Sequence, residues 1–457
     1  MCKGMKENKK NVTFLDFSNP LPSRNGGKKT IHLGALYIIA TMEESEYSVD
    51  YRDYQTCEFH DSLKISDMLR FAENPCDIVM ISCMAYMLPL ILILAREIKK
   101  IYPEKKIVLG GQGPAGVATR IIDRFFYVDY VVRGEGEISN VLLMDFLSKK
   151  NVEIQEIPGI VYRVSGTTRS NPQKRIDNLD GLPFPAYHAV DMNKYDIFGI
   201  ITGRGCMYRC KFCDIHGLWG NEYRKRSIDC VLDEIEILVR KYGIRKIDIW
   251  DDTFIFDRRR VEEFSQGIMD RNLVINWTCF GRINLMDEKL LTLMKHAGCS
   301  GVFYGIESGS QNVLNKIDKK INLEDIINKI SMSIKYVQVS AHLIWGFPFE
   351  TCEDLYKTLY LYIYLKDKIK IDIGQLWTYP TSELYMDYKD MLMVNQDMEE
   401  FKRILPLGQD NKEELSEVWN LINLYPEIFT QYTVFVDNEY LRKKRIIERL
   451  NIICGEE

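Results

Sequence analysis

Cys206, Cys210 and Cys213 stand in the stretch GRGCMYRCKFC at spacing C-x3-C-x2-C. Thiolates this close in sequence can all reach one metal centre from a single loop. Three of them on a four-iron cluster leave one iron without a protein ligand. An open position separates a metal site that does chemistry from one that only staples a fold. Gly203 and Gly205 let the loop curl round a cluster without Cβ clashes. The competing chemistry is zinc, because His216 follows closely and would complete a Cys3His set.

A second group of residues sits in the first third of the chain. Gly110, Gly111 and Gly113, with Gln112 between them, follow one apolar run; Gly134, Glu135, Gly136 and Glu137 follow another. Glycines at strand ends let backbone approach a large flat ligand closely. Tight strand-to-helix turns use the same residues, so these glycines read either way.

The elements that must position these residues are legible in the apolar pattern. Strands are expected at 12–17, 47–54, 78–82, 106–109 and 130–132, separated by helices at 31–44, 62–73, 88–102 and a last one ending near 147. Alternation at this spacing means a parallel sheet covered on both faces, of the flavodoxin-like doubly wound kind, with ligands outside the carboxyl ends of the strands. A connection follows over 151–195, with a small hairpin expected from 159–163 and 175–179 and a Leu-Pro-Phe-Pro hinge at 182–185. After the cysteine loop, strands at 246–250, 276–280, 301–306, 338–345 and 370–377 alternate with helices, a parallel barrel or part of one with polar residues at its C-terminal strand ends. Residues 391–457 read as a helical cap over that barrel.

Composition narrows the function. The chain has 457 residues, 46% of them hydrophobic, as in an ordinary globular protein of several domains. A formal net charge of −5 gives no general reason to expect nucleic acid as a partner. Twelve cysteines, three of them clustered and the rest scattered, suit a reducing compartment, here the cytoplasm. The polar, basic start of the chain has no signal-peptide core. Residues 78–95 carry no charge, but Pro89 interrupts them, and a buried strand, a loop and a helix explain the run better than a membrane span.

The cysteine loop, with Phe212 just before its third cysteine, resembles that of the radical S-adenosylmethionine (SAM) enzymes. The run Asp129-Tyr130-Val131-Val132-Arg133-Gly134-Glu135-Gly136-Glu137, about twenty residues after Gly110-Gly111, resembles the cobalamin-binding domain that precedes many radical SAM domains. These motifs fall in the family's order over most of residues 12–390. The resemblance implies a cobalamin-binding domain at 1–150, a linker at 151–195, a radical SAM partial (β/α)6 barrel at 196–390 and the cap beyond. It implies three cofactors: a 4Fe–4S cluster on Cys206, Cys210 and Cys213, SAM, and cobalamin.

Residue roles follow from the same matches. Asp251 and Asp252 take the position that meets the SAM amino group, and Arg282 meets its carboxylate or the substrate. Glu307 and Ser308 contact ribose or carboxylate, while Ile344, Gly346 and Pro348 line adenine. Ser82, Cys83, Met84 and the glycine turns would hold cobalamin. Strand-end acids can equally cap the next helix, and Arg282 can be an ordinary ion-pair partner. The Asp-x-His-x-x-Gly signature of other cobalamin proteins is absent. The histidines before the linker, His32 and His60, lie outside any such context. Cobalamin without histidine on cobalt is therefore expected, a domain that has lost its cofactor being the alternative. The implied reaction is methylation of an unactivated carbon, or phosphorus, by way of a 5′-deoxyadenosyl radical and methylcobalamin. An epimerase, cyclase or rearrangement enzyme is the alternative, and a cobalamin-binding sensor a more distant one. The implied partners are a small-molecule or peptide substrate and a reductant such as flavodoxin or ferredoxin.

Overall fold

The computed structural model describes residues 11–20, 26–58, 62–220, 222–407 and 411–454. The first ten residues, part of the loop after the first strand, and His60 lie outside the described residues. The chain divides into two units, residues 1–197 with 395–432, and 198–394 with 433–457.

The first unit is built on a seven-stranded sheet. Its strands are β1 (Asn11–Phe17), β2 (Ser48–Asp53), β3 (Ile78–Cys83), β4 (Lys106–Gly110), β5 (Tyr130–Val132), β6 (Ile160–Val164) and β7 (Thr167–Ser170), in spatial order β2-β1-β3-β4-β5-β6-β7. The first five pair in parallel. This is the doubly wound order, with its switch point between β1 and β3. β3 is buried on nearly every residue, as a strand covered on both faces must be. The helix Leu88–Ile101 follows, with Pro89 in its first turn, where the missing N–H costs nothing. No helix among the described residues is long and apolar enough to cross a membrane.

The expected hairpin forms, but from different residues. β6 pairs antiparallel with β5 and then with β7, whereas 175–179 form no strand. The turn explains the shift: Ser165 (φ 48°) and Gly166 (φ 79°) are both left-handed, the conformation of a two-residue type I′ hairpin loop.

The second unit carries six parallel strands, β8 (Gly199–Ile200), β11 (Lys246–Ile249), β12 (Asn276–Gly281), β13 (Cys299–Glu307), β14 (Gln338–Trp345) and β15 (Lys370–Gln375), in order β15-β14-β13-β12-β11-β8. A two-stranded ribbon, β9 (Gly203–Arg204) with β10 (Arg224–Lys225), lies in the chain between β8 and β11. Four of its helices start on built caps: Ser227, Asp257 and Asp287 accept backbone N–H groups, and Thr351 with Asp354 forms a capping box. The helix Ile228–Tyr242 ends on left-handed Gly243.

The C-terminal region is not one helical cap over the barrel. Residues 395–432 belong to the first unit: Arg96 pairs with Glu417, and Tyr432 donates its hydroxyl to the Tyr86 carbonyl at 2.5 Å. Residues beyond return to the second unit, where β17 (Thr433–Phe435) pairs antiparallel with β16 (Leu392–Val394). An alternating charged and apolar pattern marks one face for burial without naming what covers it, which is why sequence placed this segment on the wrong unit.

Candidate active site

The cysteine loop leaves β9 at Gly205, whose φ is 97° and whose missing Cβ would stand 2.1 Å from the Glu222 carbonyl. Only glycine fits there. The loop is tied down by backbone bonds, Lys211 N to Ile317 O (3.0 Å) and Leu384 N to Lys211 O (2.8 Å). Phe212 packs edge-on against Phe347, with ring centroids 6.0 Å apart. Cys206, Cys210 and Cys213 are all half-buried.

His216 is not poised as a fourth ligand. Its ring nitrogens face two backbone carbonyls, Tyr208 O at 2.6 Å and Gly220 O at 3.1 Å, so it braces the loop. No three His, Cys, Asp or Glu side chains among the described residues converge on a single ion. Zinc would draw its ligands to ~2.3 Å from one point, while a cluster takes each thiolate at a separate iron. The donor set fits the cluster.

Arg282 stands beside this loop. Its Nη1 lies 3.7 Å from Cys210 Sγ, and its guanidinium lies over the Tyr208 ring at 3.7 Å. Nε and Nη2 are buried and have no hydrogen-bond partner among the described residues. A buried guanidinium with two idle donors is costly unless something anionic completes it. Nε and Nη2 form the guanidinium edge that a carboxylate bridges bidentately.

The strand-end acids divide. Asp251 is buried and committed to the chain: Thr202 donates both its N–H and its hydroxyl to that carboxylate, each at 2.6 Å. It anchors the entry to the cysteine loop, which does not suit a contact to the SAM amino group. Asp252 takes a bond from Gly205 N at 3.2 Å. Burial, together with the neighbouring Asp251 carboxylate, pushes Asp252 up to about 7, the environment in which an arriving ammonium would be most welcome. Glu307 is paired with buried Lys319 at 2.6 Å, and Ser308 is bonded to Thr358 at 3.0 Å and to Ser310 N. Both are therefore already spent on internal bonds. Gly346 (φ 91°) would meet only Gln375 if it carried a Cβ, at 3.7 Å, so its face is open; its N–H is fixed by Glu350 at 2.7 Å. Ile344 and Phe347 lie in an apolar cluster with Leu314 and Leu376, and Pro348 is buried beside them. Sequence reasoning missed Thr202, Tyr208 and Lys319, because each acts through a partner distant in the chain.

In the first unit the glycine turns have internal reasons. A Cβ on Gly111 would stand 2.9 Å from Cys83 O and Ser82 Oγ, and one on Gly113 2.8 Å from Met84 O. Gly134 is packed against Gln173, and Gly136 against Asn140 and Ile38. Glu135 accepts from Ile176 N at 2.5 Å and is buried, as is Glu137. Gly110 alone in this group has nothing within 4 Å of its Cβ direction, and Gln112 beside it is exposed. This open backbone at the end of β4, near the switch point, fits a flat ligand. His32, just ahead of the helix Leu33–Glu44, adds a network that sequence did not show. Its Nδ1 lies 2.9 Å from Asp16 Oδ2, which also accepts from the Tyr51 hydroxyl at 2.9 Å. Burial alone would lower His32, but the Asp16 carboxylate outweighs it and, with Asp53, holds the imidazole at about 9.

Comparison with known proteins follows the same division. The family model for the radical SAM superfamily matches residues 200–361, and that for the B12 binding domain matches residues 24–143. An uncharacterized methyltransferase of Pyrococcus horikoshii is 34% identical over 302 residues, 64% of this chain and 65% of that protein. The cytidylyl-2-hydroxyethylphosphonate methyltransferase of Streptomyces wedmorensis is 32% identical over 257 residues, 48% of this chain and 47% of that one. The chain thus spans less than two thirds of the length of either relative. The structure of the radical SAM methyltransferase TsrM from Kitasatospora setae, solved with cobalamin and a 4Fe–4S cluster, superposes with a TM-score of 0.69 at 18% identity, over 91% of both chains. It shares the fold. The chain carries a domain that matches the radical SAM superfamily, with one that matches the B12 binding domain ahead of it.

Proposed function

We propose that this chain is a cobalamin-dependent radical SAM methyltransferase acting on an unactivated carbon or on phosphorus. The observation that carries it is the Arg282 guanidinium beside Cys210, two of whose donors are buried without an acceptor at the edge of a three-thiol loop. In this reading Cys206, Cys210 and Cys213 hold the cluster, Arg282 receives the SAM carboxylate, and Asp252 receives its amino group. Open Gly346, with Ile344 and Pro348 behind it, takes adenine. The cluster and cobalamin, when bound, supply the electron that cleaves SAM and a methyl group that can be transferred to a radical. The chain's own work is to orient SAM against the loop and keep that end of the barrel dry.

The open Gly110 backbone with Ser82 and Gln112 is the seat assigned to cobalamin. Cys83, Met84 and the glycines at 111, 113, 134 and 136 shape that seat from behind, and Glu135 and Glu137 brace its turn. The two relatives named as methyltransferases, one acting on a phosphonate, support the reaction class. In this reading a reductant such as flavodoxin or ferredoxin charges the cluster, and the scattered cysteines support a reducing compartment, the cytoplasm.

The test is the nucleoside balance with the true substrate present. Methylation consumes two SAM per product, so 5′-deoxyadenosine and S-adenosylhomocysteine accumulate in about equal amounts. An epimerase, cyclase or rearrangement enzyme yields 5′-deoxyadenosine alone, and that outcome would rule methylation out.

A further inference from the structure

Residues alternate faces along a strand. On β12, Thr278, Phe280 and, just beyond the strand, Arg282 therefore share one face of the second sheet. On β14, Ser340, His342 and Ile344 share it. The register aligns the rest: Asp248 of β11 lies opposite Thr278, Thr278 opposite Gly301, and Phe280 opposite Phe303, which lies opposite Ser340. The other face is apolar and packed, through Ile247, Trp277, Cys279, Val302 and Ala341. The face bearing Arg282 and Ile344 is thus continuous with a row of residues that the proposed function leaves unused.

Those residues border a cavity of about 230 Å³ whose lining includes the side-chain row Asp248, Trp250, Thr278, Phe280, Phe303 and Ser340, with Cys279 and Val302 also reaching it. Gly301 supplies no side chain in the middle of the row, which leaves the space. The rings are fixed. Phe280 and Phe303 meet at 5.3 Å and 65°, and Phe280 is 41% exposed. A Cβ on Gly199 would stand 2.3 Å from the Trp250 ring, so the indole rests on the bare backbone of β8. Asp248 accepts from the Thr278 hydroxyl at 2.6 Å, and no cation pairs with it among the described residues. The basic residue on the same face of β14, His342, is paired with Asp372 at 2.5 Å.

An unpaired carboxylate among three aromatic rings is the chemistry that recognises a cation, since the ring faces and the carboxylate attract the same charge. We propose that this cavity binds the substrate through a protonated nitrogen, with Asp248 as its counter-ion and Trp250, Phe280 and Phe303 as its aromatic walls. The assignment names a substrate class for the proposed methyl transfer and rests on that reading for its place in a reaction.

The test is direct binding to the full chain with its cluster reconstituted anaerobically, by ligand-observed magnetic resonance. The probes are benzylammonium, benzyl alcohol and benzoate, each at about 10 mM, the weak-binding range. Benzylammonium is expected to bind about tenfold more tightly than benzyl alcohol, and benzoate not at all. Asp248→Asn, which keeps the bond to Thr278, should bring benzylammonium down to the alcohol. Phe280→Leu, at a partly exposed position, should weaken both benzyl probes and serves if the first variant misfolds. Equal binding of the three probes, no binding of any, or an unchanged preference in Asp248→Asn would overturn the assignment. None of these readouts uses SAM, so they stand apart from the nucleoside balance: either result can fail while the other holds.

Discussion

Replacing Arg282 by methionine should separate affinity from stability. In the folded chain without SAM, two guanidinium nitrogens are buried with no acceptor. Each idle donor costs about 1–3 kcal/mol. Stacking on Tyr208 returns about 0.5–2 kcal/mol. Methionine keeps most of the apolar stem and removes the idle donors, so the variant should be no less stable than the parent without SAM and more stable by as much as about 5 kcal/mol. With SAM present the balance reverses. One charge-assisted bond is worth about 1.5–3 kcal/mol, and about 1.4 kcal/mol is a factor of ten. SAM should therefore bind about 10- to 100-fold more weakly. The assay pairs urea unfolding without SAM with equilibrium dialysis against SAM, using only preparations of matched iron content. A variant that loses about 2 kcal/mol of stability while keeping its SAM affinity would show that Arg282 is a structural residue and would refute the reasoning.

Further outcomes follow from the same structure. Cys210→Ala should lower iron from about four per reconstituted chain and abolish SAM cleavage; full activity with one zinc per chain would contradict the cluster. Supplemented growth medium should yield one cobalamin per chain, and the cob(II)alamin paramagnetic spectrum should show no nitrogen splitting. A histidine held as a cation by Asp16 offers cobalt no lone pair. Because the folded chain raises His32 from 6.5 to about 9, the stability this pair contributes is complete below about pH 6.5 and lost as pH rises through about 9. That contribution is on the order of 3 kcal/mol. Denaturant midpoints measured across that window should fall for the parent and stay nearly flat for His32→Gln. Gly199→Ala, placing a methyl 2.3 Å from the Trp250 ring, should cost about 1–3 kcal/mol, checked by thermal unfolding.

Most of the fold was legible because its signals are local. The apolar runs at 78–81 and 107–109 are short and unbroken and are followed by turn residues and a helix, so the parallel sheet followed from spacing. The hairpin's second arm was misplaced because β7 reads Thr-Thr-Arg-Ser, an exposed edge without an apolar face. The Ser165-Gly166 turn was the signal that would have found it. The candidate site was legible where it depends on neighbours in sequence, as in the cysteine loop. It was not where it depends on partners far along the chain. Asp251 sits at a strand end, but its bonds come from Thr202, 49 residues earlier. Glu307 looks available until Lys319 is folded against it. The row from Asp248 to Ser340 exists only through strand register, which no single strand encodes.

The division of the C-terminal region bears on how the molecule is made. The segment 395–432 completes the first unit, yet it is synthesised after nearly all of the second. When the five parallel strands of the first sheet have left the ribosome, the helix Leu88–Ile101 still lacks the carboxylate of Glu417 that Arg96 pairs with, and Tyr86 lacks the Tyr432 hydroxyl. Vectorial folding normally closes an N-terminal domain before the next one emerges. Here the first domain begun is finished only after the barrel has been translated, so the two mature together. A chain cut at the apparent end of the barrel, near residue 394, would lose part of the other domain's covering rather than a dispensable tail.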